Sequence, residues 1–211
     1  MRTSPNKPIE WKVQKGLTPY PDSLDWMTTR IKAIQSHQAS ECIWFLEHPP
    51  LYTLGTSAQE EDIFPTAQLP HFKTGRGGKV TYHGPGQRVI YLMLDLNQRS
   101  RDIHQYVFEL EEWLINTLQE VDIKGERRKN RIGIWVDKKG VDHKVAAIGV
   151  RVQKWITSHG IALNVSPDLT AYQNIIPCGI QNYGVTSLKD LGLCLSLEEI
   201  DCLLQQTCPF K

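Results

Sequence analysis

The chain has 211 residues, of which 40% are hydrophobic and 22% charged, a composition typical of a globular protein with a substantial core. Its net charge is +1, from 24 basic and 23 acidic side chains, which gives no overall electrostatic reason to expect nucleic acid or an anionic membrane as a partner. The sequence shows no secretory segment and no apolar run of membrane-spanning length, so we expect one cytoplasmic domain over residues 1–211 and no membrane partner.

Apolar patterning in the first half of the chain predicts one helix and several strands. In chain order these are a strand at 11–14, a helix at 22–38, strands at 41–47 and 51–55, and a strand at 88–96. Asp22 or Ser23 is the expected N-cap of the helix. The last strand is apolar at both alternating sets of positions, which is typical of a central strand covered on both faces.

The second half predicts a hairpin between two helices. The elements are a helix at 102–121, strands at 131–136 and 143–152 joined by a turn at 137–140, a strand at 155–165 with an irregularity at Gly160, and a helix at 196–206. Asp102 with Gln105 resembles a capping box. Hairpin-connected strands grouped between helices predict an α/β fold of the α+β type, with a mixed, largely antiparallel sheet packed with helices.

Basic side chains concentrate in one short segment, residues 124–131. It carries Lys124, Arg127, Arg128, Lys129 and Arg131 against a single Glu126. Two interpretations are open: a solvated turn between a helix and a strand, or a docking patch for an acidic protein partner.

The five cysteines indicate a reducing compartment. They are Cys42, Cys178, Cys194, Cys202 and Cys208. Their number is odd and no Cys-x-x-Cys pair occurs, so a disulfide framework is not expected. Their spacings also do not provide the close ligand pairs of a zinc site.

Cys178 differs from the other cysteines because Pro177 and Gly179 flank it, which predicts an accessible turn. A thiolate there is a nucleophile if a neighbouring group takes its proton. Lys144 is the candidate, since small and apolar residues follow it in the strand 144–150 and desolvation favours a neutral amine. The plain alternatives are an inert cysteine and a solvated lysine at a strand end.

Two further segments predict a binding site. Residues 76–87 contain four glycines, which allow close approach to the backbone, but lack a phosphate-loop signature; a plain β-turn is the alternative. His159 beside Gly160 fits either a narrow tunnel for an alkyl chain or a satisfied core histidine. A zinc triad of His48, His83 and His159 is disfavoured because the three lie in separate segments.

Together these segments resemble a known family. Residues 76–87, 144–151, 158–164 and 177–179 are similar, in the same order, to the motifs of octanoyl-[acyl carrier protein]:protein octanoyltransferases of lipoate biosynthesis. With His48 to Pro50 and Thr53 to Gly55, the resemblance covers roughly residues 47–188. It implies the fold of biotin and lipoate protein ligases.

The resemblance implies a covalent mechanism in which Cys178 carries the acyl group and Lys144 moves the proton. Implied substrate-binding residues are Arg76, Gly77, Gly78, Lys79, Val80, Thr81, Tyr82, His83, Ala147, Ile148, Gly149, His159, Gly160, Ile161 and Ala162. Octanoyl-acyl carrier protein is the implied donor. The implied acceptors are apo lipoyl domains of 2-oxoacid dehydrogenases and the glycine cleavage H protein, with no cofactor and no metal. An ATP-dependent lipoate or biotin ligase and a non-catalytic binding module for carrier or lipoyl domains are the alternatives.

Overall fold

The computed structural model describes residues 8–176 and 183–210. Its helices are α1 (Tyr20–Gln35), α2 (Ile103–Gln119) and α3 (Leu197–Thr207). Its strands are β1 (Glu10–Leu17), β2 (Cys42–Glu47), β3 (Leu51–Leu54), β4 (His71–Lys73), β5 (Val80–His83), β6 (Gln87–Met93), β7 (Glu126–Arg128), β8 (Arg131–Lys138), β9 (Val141–Gln153), β10 (Ile156–Asn164) and β11 (Gly184–Val185). None of the helices in these two ranges is long and apolar enough to cross a membrane.

The strands form one large and one small sheet. The large sheet runs β1-β2-β6-β10-β9-β8-β7, and β11 pairs with β9. The pairs β1–β2 and β11–β9 are parallel, and the other pairs of this sheet are antiparallel. The small sheet runs β4-β3-β5. This topology confirms the predicted mixed, largely antiparallel sheet packed with helices.

The large sheet is covered on both faces. All seven residues of β6 are buried, as its two-sided apolar pattern predicts. On one face Ile90 and Leu92 join the cluster that contains Leu110 and Leu114 of α2. On the other face Val89 and Tyr91 join a second cluster with α1. The sheet therefore separates two cores, and α1 lies over one while α2 and α3 lie over the other.

Helix capping agrees with the sequence at α2 and α3 but not at α1. The Asp102 carboxylate accepts hydrogen bonds from the first turn of α2, and Ser196 with Glu199 forms a capping box before α3. The predicted N-cap of α1 at Asp22 or Ser23 is wrong, because Pro19 occupies that position. The Ser23 hydroxyl instead donates to the Tyr20 carbonyl inside the first turn, at 2.7 Å.

The basic segment at 124–131 contains strand β7, which was not predicted because the residues of this segment are charged and not apolar. Four of its five cations pair with carboxylates of this chain. Arg127 contacts Glu111 of α2, and Arg128 and Arg131 contact Asp142 of β9. The segment therefore ties the edge of the sheet to α2 and β9. Its docking role stays a prediction.

Candidate active site

A cavity of about 650 Å³ is lined by the glycine-rich run and by strands β9 and β10. It receives almost all of the predicted substrate-binding residues together with Lys144. Those that line it are Arg76, Gly77, Gly78, Lys79, Val80, Thr81, His83, Ala147, Ile148, Gly149, His159, Gly160, Ile161 and Ala162. Three segments far apart in sequence thus meet around one space, whose volume is that of a small-molecule site.

Tyr82 is the exception among the residues predicted to bind substrate. It lies on β5 between Thr81 and His83, which both line the cavity. Since successive side chains of a strand alternate between faces, Tyr82 is directed elsewhere. Its ring packs against Tyr52 and Tyr172, with centroids 5.9 and 5.5 Å away. Tyr82 therefore belongs to the core of the small sheet and not to the cavity wall.

Small residues on two paired strands leave room for the cavity. Ala147 pairs with Ala162, and Gly149 pairs with Gly160. A Cβ at Gly149 would lie 3.1 Å from the Gly77 carbonyl oxygen, so side chains there would close the space. Gly160 has φ +155°, and a Cβ there would overlap the Ile90 carbonyl oxygen, so this position requires glycine. The predicted irregularity at Gly160 is present.

Arg76 fixes the glycine-rich run to the small sheet. Its Nη2 donates to the carbonyl and hydroxyl oxygens of Thr53 at 2.7 and 2.8 Å, and its Nη1 donates to the Gly77 carbonyl at 3.0 Å. The side chain is buried beside the cavity. A fixed cation therefore lies in the cavity wall.

The histidines near the cavity are neutral and structural. His48 Nδ1 donates to the Thr18 carbonyl at 2.6 Å, so the Tyr91 hydroxyl donates to Nε2 at 2.7 Å. His83 Nδ1 donates to Gln87 Oε1 at 2.7 Å. Burial lowers the pKa of His48 to about 4 and holds the pKa of His83 well below its usual value.

The zinc alternative is not supported by these positions. The rings of His48 and His83 are 5.7 Å apart, but their nitrogens are used in hydrogen bonds. In the described ranges 8–176 and 183–210, no three His, Cys, Asp or Glu side chains could hold a metal ion. The histidines shape and fix the cavity wall instead.

His159 is the third of these histidines and has left-handed backbone, with φ +59°. Its Nε2 lies 3.2 Å from the Tyr20 hydroxyl. Burial, followed by the nearby charge of Arg76, lowers the pKa of His159 to about 3. His159 is therefore buried, and its ring lines the cavity, but its Nδ1 has no hydrogen-bond partner among the residues that the structure describes, so it is not the fully satisfied core histidine of the two interpretations.

The buried histidines make folding pH-dependent. An imidazole with a folded pKa of about 3 or 4 binds fewer protons than in the unfolded chain, where its pKa is about 6.5. The free energy of unfolding should therefore fall as the pH drops below about 6.5, by up to about 1.4 kcal/mol per pH unit for each such histidine. Urea unfolding between pH 7 and 5 measures this slope.

The variant His159→Asn should flatten that slope, because asparagine tolerates left-handed backbone and does not titrate. His37→Asn is the matched control: His37 has φ +58° but is exposed at the end of α1. If the pH slope of the free energy of unfolding flattened equally in both variants, or did not flatten in His159→Asn, His159 would not be the source of that slope.

Lys144 lies inside β9 and not at its start as predicted, because the strand begins at Val141. The residue is 7% exposed and lines the cavity. Its Nζ donates to the Ile132 carbonyl oxygen at 3.1 Å. The neighbouring strand therefore fixes the amine at the cavity wall, and the reading of Lys144 as a solvated strand end is wrong.

Cys178, with Pro177 and Gly179, lies outside the described residues, but both flanks of the segment 177–182 are anchored. Before it, Ile176 N–H donates to the Asp62 carbonyl at 2.8 Å. After it, Val185 of β11 pairs with Lys144, and Thr186 N–H donates to the Lys144 carbonyl at 3.0 Å. The chain that follows Cys178 is thus hydrogen-bonded to the backbone of the predicted base.

Sequence reasoning missed the contribution of α2. Ile103 and Val107 lie on the apolar side of this helix, and both line the cavity together with Phe108. Ile103 is 43% and Phe108 48% exposed. The available signal was Phe108 itself, a large apolar residue off the helical stripe that packs the core. Tyr20 and Tyr91 were missed as well, since nothing local marks them.

The fold and the cavity define the class, and comparisons with known proteins agree. The model of the lipoyl protein ligase A/B catalytic domain matches residues 19–207, and the chain belongs to this family. Within it, the chain is 52% identical over 205 residues to an octanoyltransferase of Paramagnetospirillum magneticum, covering 97% of each. It is 53% identical to an octanoyltransferase of Nitrobacter hamburgensis, covering 96% of this chain and 86% of that protein. The resemblance seen in the sequence is confirmed, as is the prediction of an acyltransferase enzyme.

Solved structures carry the same fold. A bipartite lipoate protein ligase from Thermoplasma acidophilum superposes with a TM-score of 0.69 at 14% identity, covering 94% of this chain and 82% of that one. Biotin protein ligase from Aquifex aeolicus gives a TM-score of 0.54 at 14% identity, covering 96% and 68%. These likenesses establish the ligase-like fold alone, since the identities are low.

Proposed function

We propose that this chain, acting as one catalytic domain, moves an octanoyl group from octanoyl-acyl carrier protein to a lysine of apo lipoyl domains, through a thioester on Cys178. The acceptors are lipoyl domains of 2-oxoacid dehydrogenases and the glycine cleavage H protein, and the reaction takes place in the cytoplasm. The observation that carries the proposal is the pairing of Val185 and Thr186 with Lys144, at the edge of a cavity walled by small residues.

The chemistry consists of two acyl transfers. The Cys178 thiolate attacks the carbonyl carbon of the donor thioester, the carbon–sulfur bond to the carrier breaks, and the leaving thiolate takes a proton from Lys144. The acceptor lysine amine then attacks the new thioester and loses a proton to Lys144, and Cys178 leaves as thiolate. The donor thioester already carries the activation, so both steps proceed without ATP.

The acyl chain is proposed to lie against the face that the paired strands β9 and β10 present to the cavity. Ala147, Gly149, Gly160 and Ala162 offer backbone and methyl groups there, so an unbranched chain meets apolar surface without steric conflict. Arg76 lies in the same wall and is proposed to stabilise the negative charge that develops in the attack.

The direct test is incubation with octanoyl-acyl carrier protein in the absence of ATP, followed by intact mass. We expect an added octanoyl group on the protein, and amide-linked octanoate after apo lipoyl domain is supplied. Absence of any adduct with a competent donor would overturn the covalent route.

The two alternatives give different products in the same experiment. An ATP-dependent ligase modifies the lipoyl domain only when free octanoate or lipoate and ATP are present. A binding module forms a complex with the carrier or the lipoyl domain and yields no amide. Product formed from the thioester donor alone contradicts both.

The cavity wall should control which acyl chain is accepted. Ala162→Leu adds three carbons at a buried position of β10, directly opposite Ala147 of β9. Acylation by the octanoyl donor should fall at least about 10-fold, while a butanoyl donor is affected less. The same change in Ala33→Leu, on α1 outside the cavity, is the control. An unchanged ratio of the two donors would place the acyl chain elsewhere.

A further inference from the structure

The strand pairing beside Lys144 contains an irregularity that aims its side chain. Ile134 of β8 pairs with Ala146, but the next residue, Trp135, pairs with Lys144. One step on β8 therefore corresponds to two on β9, which is the register of a β-bulge. Bulges redirect side chains and are frequent beside active sites. Here the shift sets Trp135 directly opposite Lys144.

The lysine side chain runs past Gly133. This residue has φ +115°, and a Cβ there would be 2.6 Å from the Ala146 carbonyl oxygen and 3.4 Å from Lys144 Cε. The close carbonyl and the positive φ require glycine, and the lysine stem packs beside it. At the end of that stem, Nζ lies 4.7 Å from the centre of the Trp135 ring and donates to the Ile132 carbonyl.

These contacts hold the amine against an aromatic face. The face of an indole ring attracts a cation, and the attraction strengthens when both groups are out of water. Trp135 is 2% and Lys144 7% exposed. The Ile132 carbonyl accepts a hydrogen bond from Nζ and so fixes the amine beside the ring.

Trp135 also contacts the chain that follows Cys178. Tyr183, the first described residue after the segment 177–182, packs edge-on against Trp135 with ring centroids 5.6 Å apart. The Arg131 guanidinium lies 3.9 Å from the Tyr183 ring and 4.7 Å from the Trp135 ring. Trp135 Nε1–H donates to the Arg131 carbonyl at 3.0 Å, which fixes the indole. One ring therefore contacts both Lys144 and Tyr183.

We propose that Trp135 is a positioning residue, which holds the Lys144 ammonium over its ring and at the same time seats the chain after Cys178 through Tyr183 and Arg131. This inference rests on the proposed function, because it concerns the proton donor of that same reaction. Its consequence is that the first half-reaction begins with Lys144 carrying the proton that the leaving thiolate needs.

The test separates ring electrostatics from packing. The protein contains six tryptophans, and all are replaced by fluorotryptophan, whose ring face attracts cations less strongly at nearly the same shape. Labelled wild-type protein should form the octanoyl adduct more slowly at saturating donor, with KM unchanged. Labelled Trp135→Phe protein should form the adduct at the same rate as unlabelled Trp135→Phe protein, because the ring beside Lys144 is then phenylalanine, which carries no fluorine.

Substitution gives the second readout. Trp135→Phe retains an aromatic face and should stay within about 3-fold of wild type, whereas Trp135→Leu should lose about 30-fold in the rate of adduct formation, the equivalent of about 2 kcal/mol for a desolvated contact. Trp26→Leu is the matched control, since Trp26 also lies beside cations, Lys12 and Arg30, but on α1.

Three results would overturn the inference. These are a fluorination effect of equal size in wild type and Trp135→Phe, equal losses in the Phe and Leu variants, or wild-type kinetics in Trp135→Leu. If unlabelled wild-type protein forms no adduct at all, the proposed function itself fails. Adduct on wild type with no dependence on the ring refutes the role of Trp135 alone.

Discussion

Replacing Cys178 with alanine should abolish the octanoyl adduct and lower transfer to the lipoyl domain by more than about 10³-fold, as expected when a covalent nucleophile is removed. Without the sulfur, no acyl-enzyme can form. The acceptor amine must then attack the carrier thioester directly, in a site proposed to serve two successive transfers. Intact mass after incubation with the donor, and amide formation under turnover, measure both effects.

The chain supplies its own controls for this variant. Cys194 and Cys202 are exposed thiols outside the cavity, so Cys194→Ala and Cys202→Ala should keep the adduct at full occupancy. Cys42 is a poor candidate nucleophile, because burial raises the pKa of its thiol to about 12. An adduct that persists in Cys178→Ala and disappears in one of the other variants would reassign the nucleophile.

Periodic segments and caps were predictable from the sequence because their signals are local. The apolar stripe of α2 and its cap at Asp102 depend on residues two to four positions apart. The two-faced apolar pattern of β6 likewise predicted its central place. In each case the information lies within one element.

The strands and contacts that the sequence did not predict are of two kinds. Some depend on contacts between elements, and others lie where the local composition predicts a different structure. Strand β5 lies in the glycine-rich run, whose composition favours a turn, and β7 lies in a cluster of arginines. Tyr82 was assigned to the site because its neighbours belong there, but strand alternation turns it away.

Lys144, the proposed proton donor, shows the same limit. Lys144 was chosen for its small apolar neighbours, which predict desolvation. The bulge opposite Trp135 and the glycine at 133 become visible only when β8 and β9 are paired. Local sequence thus predicted which lysine lines the cavity, while the direction of its side chain depends on the strand beside it.

Lys144→Met should lower the rate of adduct formation by about 10²- to 10⁴-fold, the usual contribution of a general acid–base group, with little change in KM. Methionine preserves the unbranched stem that passes Gly133, so the cavity wall and β9 should remain intact. Lys144→Arg keeps the positive charge but not a proton that can be released, and it should be nearly as slow. Single-turnover acylation with the octanoyl donor, alongside thermal unfolding, measures these effects.

Lys138→Met is the control, since Lys138 lies on the same hairpin but pairs with Asp190 at the surface. Full rescue by arginine would reduce the role of Lys144 to that of a fixed charge, and near-normal rates in Lys144→Met would remove it from the chemistry.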